Sequence, residues 1–311
     1  MEKEQKMTAS EKSADGSSVY EINNGKLSLR ARTKSGELVS LVNLENGREY
    51  IWCADPKHWG WSSPILFPQV GACRDGKYSY DGKQYDMPQH GLARHREFTL
   101  VSQEKNELWF SLTEGEETLR NYPFRFELLI GYVLQDRAVK VIWQVINRDE
   151  KTMYYSIGGH PAFNCPLNKS EKKTDYSIWF HGVDKICSRG IDMSNGLATE
   201  QITEYKLEQE KLPITETLFD RDALVIENQV HSVSLVKPDG TPYLTVDFEA
   251  PLFGVWAPVG GKSPFVCIEP WYGRCDSQHY AGDLAGREYG HTILPGDQDE
   301  FSYWIRIEDE M

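Results

Sequence analysis

The sequence predicts an all-β protein built as one large antiparallel β-sandwich with few, short helices, and three observations carry that expectation. Short alternating runs are separated by tight-turn signals from the first strand to the last. No stretch of a dozen residues has helical periodicity. No Pro/Gly/Ser linker, low-complexity tract or fixed-period repeat divides the chain. Asn-Gly and Ser-Gly between alternating runs mark hairpins because such turns need positive φ.

In chain order, "INNGKL", "TKSGEL" and "LENGRE" punctuate the first 50 residues, with strand-like "SVYEI", "KLSLRART", "ELVSLVN" and "REYIW" around them. "EFTLVSQEKNELWFSLTE" repeats the pattern about a turn at 103–107. "FRFELLIGYVLQDRAVKVIWQVINRD" holds two longer strands that turn near Asp136, and "SVSLVKPDGTPYLTVDFEA" is a hairpin about Pro238-Asp239-Gly240. The best helical candidate, 200–212, is polar and short. Residues 1–18, "MEKEQKMTASEKSADGSS", are polar with no apolar segment. They are expected to be a frayed leader rather than a secretion signal, which leaves 19–311 as a single domain.

Of the 311 residues 40% are hydrophobic, enough for a large core, and the nine Trp and sixteen Tyr suit β packing or sugar stacking. A net charge of −13 argues against nucleic acid and anionic membranes as partners, and no apolar run reaches transmembrane length. The six cysteines lie far apart with no CxxC pair, so reduced thiols and a cytoplasmic location are expected.

Five stretches are costly to keep for packing alone. In "IGGHPAFNCPL" (157–167), Gly158 and Gly159 permit close approaches, and Pro161 biases His160 toward extended geometry, so one imidazole is aimed in one direction. "FPQVGACRDGKYSYDGKQYDMPQHGLARHREF" (67–98) is polar and glycine-rich and carries Arg74, His90, Arg94 and His95. "PFVCIEPWYG" (264–273) ends a buried apolar run on Glu269, an expensive place for a carboxylate without a partner. "FGVWAPVGGKSP" (253–264) places Trp256 before a loop, and "DRDALVIEN" (220–228) sets Asp220 and Asp222 at the mouth of a strand. Each has a structural alternative: a charged surface loop, a buried ion pair, a core tryptophan, an Asp-capped turn. GxGxxG, P-loop, HExxH and GxSxG spacings are absent, and His90 and His95 are spaced for opposite faces of a strand, so no metal pair is expected.

"MPQHGLARHREF", "IGGHPAFN" and "CIEPWYG", in that order, resemble the aldose 1-epimerase (galactose mutarotase-like) family, its LacX-like branch and the neighbouring hexose-6-phosphate mutarotases, over residues 20–307. The resemblance implies the galactose mutarotase-like supersandwich and the interconversion of the α and β anomers of an aldose by ring opening, with no cofactor and no metal. That reaction takes a proton from the anomeric hydroxyl and delivers one to the ring oxygen, so two positioned proton carriers are needed. By motif position Glu269 is the base, His160 the acid, and His90 a hydrogen-bond donor that shares the acid role. Asp222 is the carboxylate that holds sugar hydroxyls. If close, Glu269 and His160 are expected to hold each other charged and to titrate as a pair.

Many relatives carry an arginine where Ala72 stands. If the segment is extended, Arg74 faces the same way and is expected to replace it in binding the sugar. Leu92 replaces the usual aromatic. Hexose 6-phosphate is the second expectation, with Arg74, Arg94 and Lys77 as the phosphate-binding cations. A non-catalytic sugar-binding protein is the third, and a two-carboxylate glycoside hydrolase pairing Glu269 with Asp222 the fourth. The expected partner is a small-molecule sugar, and the expected assembly a monomer or homodimer.

Overall fold

The structure, a computed structural model, describes residues 11–308 apart from Ala14. Three antiparallel sheets make up most of it. The first runs in chain order through Glu11–Lys12, Ser18–Asn23, Leu27–Arg32, Leu38–Asn43 and Arg48–Glu49. The second, of nine strands, has the order Lys211–Pro213, Ser177–Phe180, Ser232–Val236, Pro242–Phe248, Gln298–Ile307, Ala138–Asn147, Phe126–Gln135, Glu107–Thr113 and Thr99–Gln103. The third, of eight, has the order Leu197–Lys206, Lys185–Asp192, Leu224–Glu227, Leu252–Trp256, Phe265–Tyr272, Ile157–Gly159 and Ile65–Leu66. Its eighth strand, Ala162–Asn164, pairs with Phe265–Tyr272.

The turn signals lie where the hairpins are. Asp136, at φ 53°, turns the pair Phe126–Gln135 and Ala138–Asn147, and Gly240, at φ 85°, lies in the turn between Ser232–Val236 and Pro242–Phe248. One cluster of buried side chains draws on all three sheets, with Leu29 and Leu41 from the first, Leu128, Val141 and Leu235 from the second, and Ile226, Val255 and Ile268 from the third. Each such side chain contributes roughly 1.5–3 kcal/mol of burial. Two expectations change here. The helical candidate at 200–212 is not helical: 200–206 fall in the strand Leu197–Lys206 and 211–212 in Lys211–Pro213, with a turn between, because pairing in the sheet outweighs its polar composition. The expected leader lies outside the described residues over 1–10, and its end is ordered: Glu11–Lys12 pair with Ser18–Val19 as an edge strand. The one α-helix among the described residues is Glu116–Asn121, and no helix is long and apolar enough to cross a membrane.

Candidate active site

The strand Phe265–Tyr272 is buried at all eight positions, so it reads as a continuous apolar run interrupted only by Glu269 and Pro270. Proline removes a ladder donor and belongs at an edge or a break. The break is on the partner side. Gly158 pairs with Trp271 and Ala162 with Cys267, while the intervening Gly159–Pro161 makes no pair with this strand. Both pairings share one register, and carrying it across the gap sets His160 directly opposite Glu269. Pro161 and Pro270 thus lie in a gap of three unpaired positions between these strands, and the middle one holds two titratable side chains.

His160 Nε2 and Glu269 Oε2 stand 3.3 Å apart, with His160 6% and Glu269 1% exposed. Neither Glu269 Oε2 nor His160 Nδ1 meets a hydrogen-bond partner. Burial dominates both groups. It raises Glu269 well above the ordinary carboxylate range, assisted by the charge of Asp222 and opposed by the Trp271 indole. It lowers His160 well below the ordinary imidazole range, assisted by the nearby His90 and by the Arg94 charge. The expected mutual stabilisation of two charges therefore does not describe the resting pair. Out of water both groups favour their neutral forms, carboxyl beside imidazole.

His90 reaches the same space from the other direction. It sits at φ 65° and Gly91 at φ 76°, a tight turn that a side chain at 91 could not make, because a Cβ there would lie 2.3 Å from the Phe67 carbonyl oxygen. The Gly71 N–H donates to His90 Nδ1 at 3.2 Å, which places the ring proton on Nε2. Burial and the Arg94 charge push His90 down to about 3, in keeping with that neutral tautomer. The rings of His90 and His160 are edge to face at 5.6 Å.

Around this centre is a cavity of ≈ 300 Å³ lined by His90, His160, Glu269, Asp222, Trp256 and Trp271, with Val70, Gly71, Gln89 and Cys275 in the wall. That is the small end of ligand sites, room for one small polar molecule. The paired glycines earn their place here by close approach. A Cβ on Gly158 would lie 2.7 Å from Trp271, and one on Gly159 3.0 Å from Trp143 on the opposite face. Gly254, paired across from Glu269, would meet Trp271 at 2.6 Å, so Trp271 lies flat over two glycine-bearing strands. Asp222, at φ 76°, lines the cavity and accepts from the Ala223 N–H at 2.7 Å.

Two of the expected binding residues lie elsewhere. Arg74 begins a 3-10 turn in which Asp75 is left-handed, so the segment is not extended there. The Arg74 guanidinium bonds the Gln278 carbonyl and faces a separate cleft with Lys77, Tyr280 and Arg287. Nor is the space beside Ala72 open: a Cβ on Gly196 would come within 3.1 Å of the Ala72 methyl, so the 193–196 turn covers it. Arg94 bonds the Gln89 carbonyl at 2.9 Å and lies 5.6 Å over Trp61. It acts on the histidines through its charge without lining the cavity, and the lining contains neither Lys nor Arg. His95 packs on Trp61 and Arg94, and Asp220 accepts from the Gly260 N–H, both outside the cavity.

The chain belongs to the aldose 1-epimerase family. The family's sequence model matches residues 18–298. The chromosomal protein LacX of Lactococcus lactis subsp. lactis is 35% identical over 299 residues, covering 92% of this chain and 98% of LacX. Among solved structures, a galactose mutarotase related enzyme from Lactobacillus acidophilus superposes with a TM-score of 0.87 at 28% identity, covering 94% of this chain and 97% of its own. A galactose mutarotase-like protein from Lactobacillus casei gives 0.85 at 27%, covering 93% and 100%.

Within this aldose 1-epimerase fold, sequence reasoning passed over Trp59. Its ring lies 4.6 Å from that of His160 at 31°, packing over the imidazole, and it reaches there from the "HWGWSSP" loop. That loop is braced by Glu37, fully buried, whose carboxylate accepts from the Ser62 and Ser63 N–H groups and pairs with Arg32. The tryptophan-rich loop was the available signal, but its contact partner is a hundred residues away in sequence. Cys267 also joins the group, its sulfur, Glu269 and His160 offering three donor atoms within 4.8 Å. Burial raises the Cys267 thiol well above its ordinary value, so it is a neutral S–H, a poor metal donor.

Proposed function

We propose that the protein is a mutarotase for a neutral aldohexose, acting in the cytoplasm as its six unpaired cysteines suggest, with Glu269 as base and His160 as acid. The single observation that carries this reading is the facing of those two buried groups in the gap between the two strand pairings. Sugar hydroxyls entering the cavity hydrogen-bond to the carboxylate and favour the proton on the imidazole. Glu269 then takes the anomeric proton while His160 protonates the ring oxygen, the C1–O5 bond opens, and rotation about C1–C2 followed by reclosure gives the other anomer.

The product of the first step is a protonated carboxyl beside a neutral imidazole, the placement that burial favours. The raised Glu269 is a stronger base than an ordinary carboxylate and the lowered His160 a stronger acid than an ordinary imidazolium, both matched to the open-chain intermediate. His90, with its proton on Nε2, donates to the ring or anomeric oxygen. Asp222 accepts from hydroxyls on the far side of the ring, and Trp256 and Trp271 offer apolar faces to its C–H groups. Against a phosphorylated sugar stands a cavity wall with two carboxyls and no Lys or Arg.

The test is polarimetry on freshly dissolved α-D-glucose and α-D-galactose with wild type, Glu269→Gln and His160→Ala. Faster decay of rotation with wild type, lost in both variants, supports the reading. No rate above the buffer blank on either sugar, together with activity on glucose 6-phosphate, replaces it with the phosphosugar reading. Silence on all three overturns it in favour of a sugar-binding protein.

A further inference from the structure

Next to the catalytic cavity lies a groove of ≈ 360 Å³ that shares Ile191, Met193, Asp222 and Ala223 with it. Its floor is the edge of the eight-stranded sheet. Along Leu197–Lys206, the alternate side chains Thr199, Gln201, Thr203 and Tyr205 face the groove, an unbroken row of hydroxyl and amide groups. The neighbouring strand shifts register between Arg189 and Ile191, and Gly190 stands at the shift, where a Cβ would lie 2.7 Å from Thr199 Oγ1. Bulges of this kind re-aim side chains and open a sheet edge beside functional sites. Among the residues common to both spaces is Asp222, a non-glycine residue held at positive φ.

The charges of the groove select the class of occupant. Arg189 is neutralised by a bidentate pair with Glu227, both contacts 2.8 Å. Arg221 is exposed beside Asp222, and Asp192 holds Gln278 at 3.1 Å. Two arginines thus stand with two aspartates, and no surplus of cations remains for a phosphate. What remains is a row of neutral hydrogen-bonding groups with an apolar patch at Met193, which is 56% exposed at the junction of the two spaces. That pairing of polar edges and apolar faces is the recognition chemistry of a sugar ring.

We infer that this groove is a second saccharide subsite, which takes the non-reducing unit of a reducing disaccharide whose reducing unit lies in the catalytic cavity. The inference rests on the mutarotase reading of that cavity. Ring opening requires a free anomeric hydroxyl at Glu269, so the second unit is joined through a hydroxyl remote from C1, on the side that Asp222 faces.

The test separates occupancy from turnover. Wild type, Gln201→Trp and Arg221→Ala are titrated calorimetrically with glucose, lactose, cellobiose, maltose and glucose 6-phosphate, and the same samples are followed by polarimetry. The expected result is that at least one disaccharide binds about tenfold tighter than glucose, and that Gln201→Trp brings this ratio to within twofold of unity. Arg221→Ala lowers the ratio to a smaller extent and covers the case in which the tryptophan variant fails to fold. Disaccharides that bind no tighter than glucose, or an advantage that survives both variants, overturn the subsite. Glucose 6-phosphate binding tightest, with its advantage lost in Arg221→Ala, overturns the neutral-sugar assignment. A Gln201-dependent disaccharide advantage without any catalysed change of rotation leaves the groove standing and overturns the mutarotase reading instead.

Discussion

Replacing Glu269 by glutamine removes one titratable oxygen from a fully buried position while keeping the shape, and the structure sets opposite signs for activity and stability. The carboxyl is 1% exposed, its Oε2 has no hydrogen-bond partner, and burial raises its pKa. In the unfolded chain it ionises near pH 4.5, so above that pH the folded protein holds a proton that the unfolded chain has released. A raised folded pKa contributes stability that is complete below the unfolded value and is lost as pH rises toward the folded one. Each pH unit in that window weakens wild type relative to Glu269→Gln by about 1.4 kcal/mol. Between pH 5 and 7 the variant should therefore gain roughly 1–3 kcal/mol on wild type, read as the difference in urea midpoints at fixed slope. Over the same range kcat/KM for mutarotation should fall about 10²–10⁴-fold, the usual share of a positioned general base. A variant that is no more stable at pH 7 than at pH 5 relative to wild type would show that the carboxylate is solvated or already paired. Retention of activity would remove Glu269 from the chemistry.

The other predictions probe the frame. His90→Gln should flatten the loss of stability on acidification: His90 is pushed down to about 3, so wild type loses stability as pH falls below about 6.5, by up to about 1.4 kcal/mol per unit, and the variant, measured by urea unfolding at pH 7 and 5, should not show this component. Gly254→Ala forces a methyl to 2.6 Å from the Trp271 indole, so it should cost about 1–3 kcal/mol and shift tryptophan fluorescence; unaltered emission and stability would mean that Trp271 does not lie over Gly254. Arg74→Ala should leave kcat/KM within about twofold, since its guanidinium faces a different cleft, and a tenfold loss of about 1.4 kcal/mol would contradict that placement. The pH profile of kcat/KM should carry no titration near the ordinary imidazole value, because both cavity histidines are lowered; a limb near pH 6.5 that disappears in His160→Gln would refute it.

The candidate pair, Glu269 and His160, was legible because its local frames are extreme. A carboxylate before a proline in an apolar strand and a histidine between Gly-Gly and proline have few structural uses, and both proved to stand at the same gap in one sheet. Arg74 was misplaced for a local reason that alternation cannot see: a 3-10 turn with Asp75 at φ 55° takes the chain out of the extended state one residue too soon. The charge state of the pair was read from proximity alone, whereas burial, invisible in a single sequence, outweighs it. Trp59 was passed over because packing on an imidazole depends on where a loop returns.

By itself the chain determined what is local: period-two alternation, turns that require positive φ, backbone positions too crowded for a Cβ, and which residues are candidate proton carriers. Those properties act over a few residues and are written there. The tertiary structure decided the register that brings residue 160 opposite 269, the exclusion of water that moves both groups toward their neutral forms, and the absence of Lys and Arg from the cavity wall. These depend on distances between segments tens to hundreds of residues apart, and on how far each lies from solvent, which only the closed sheets establish.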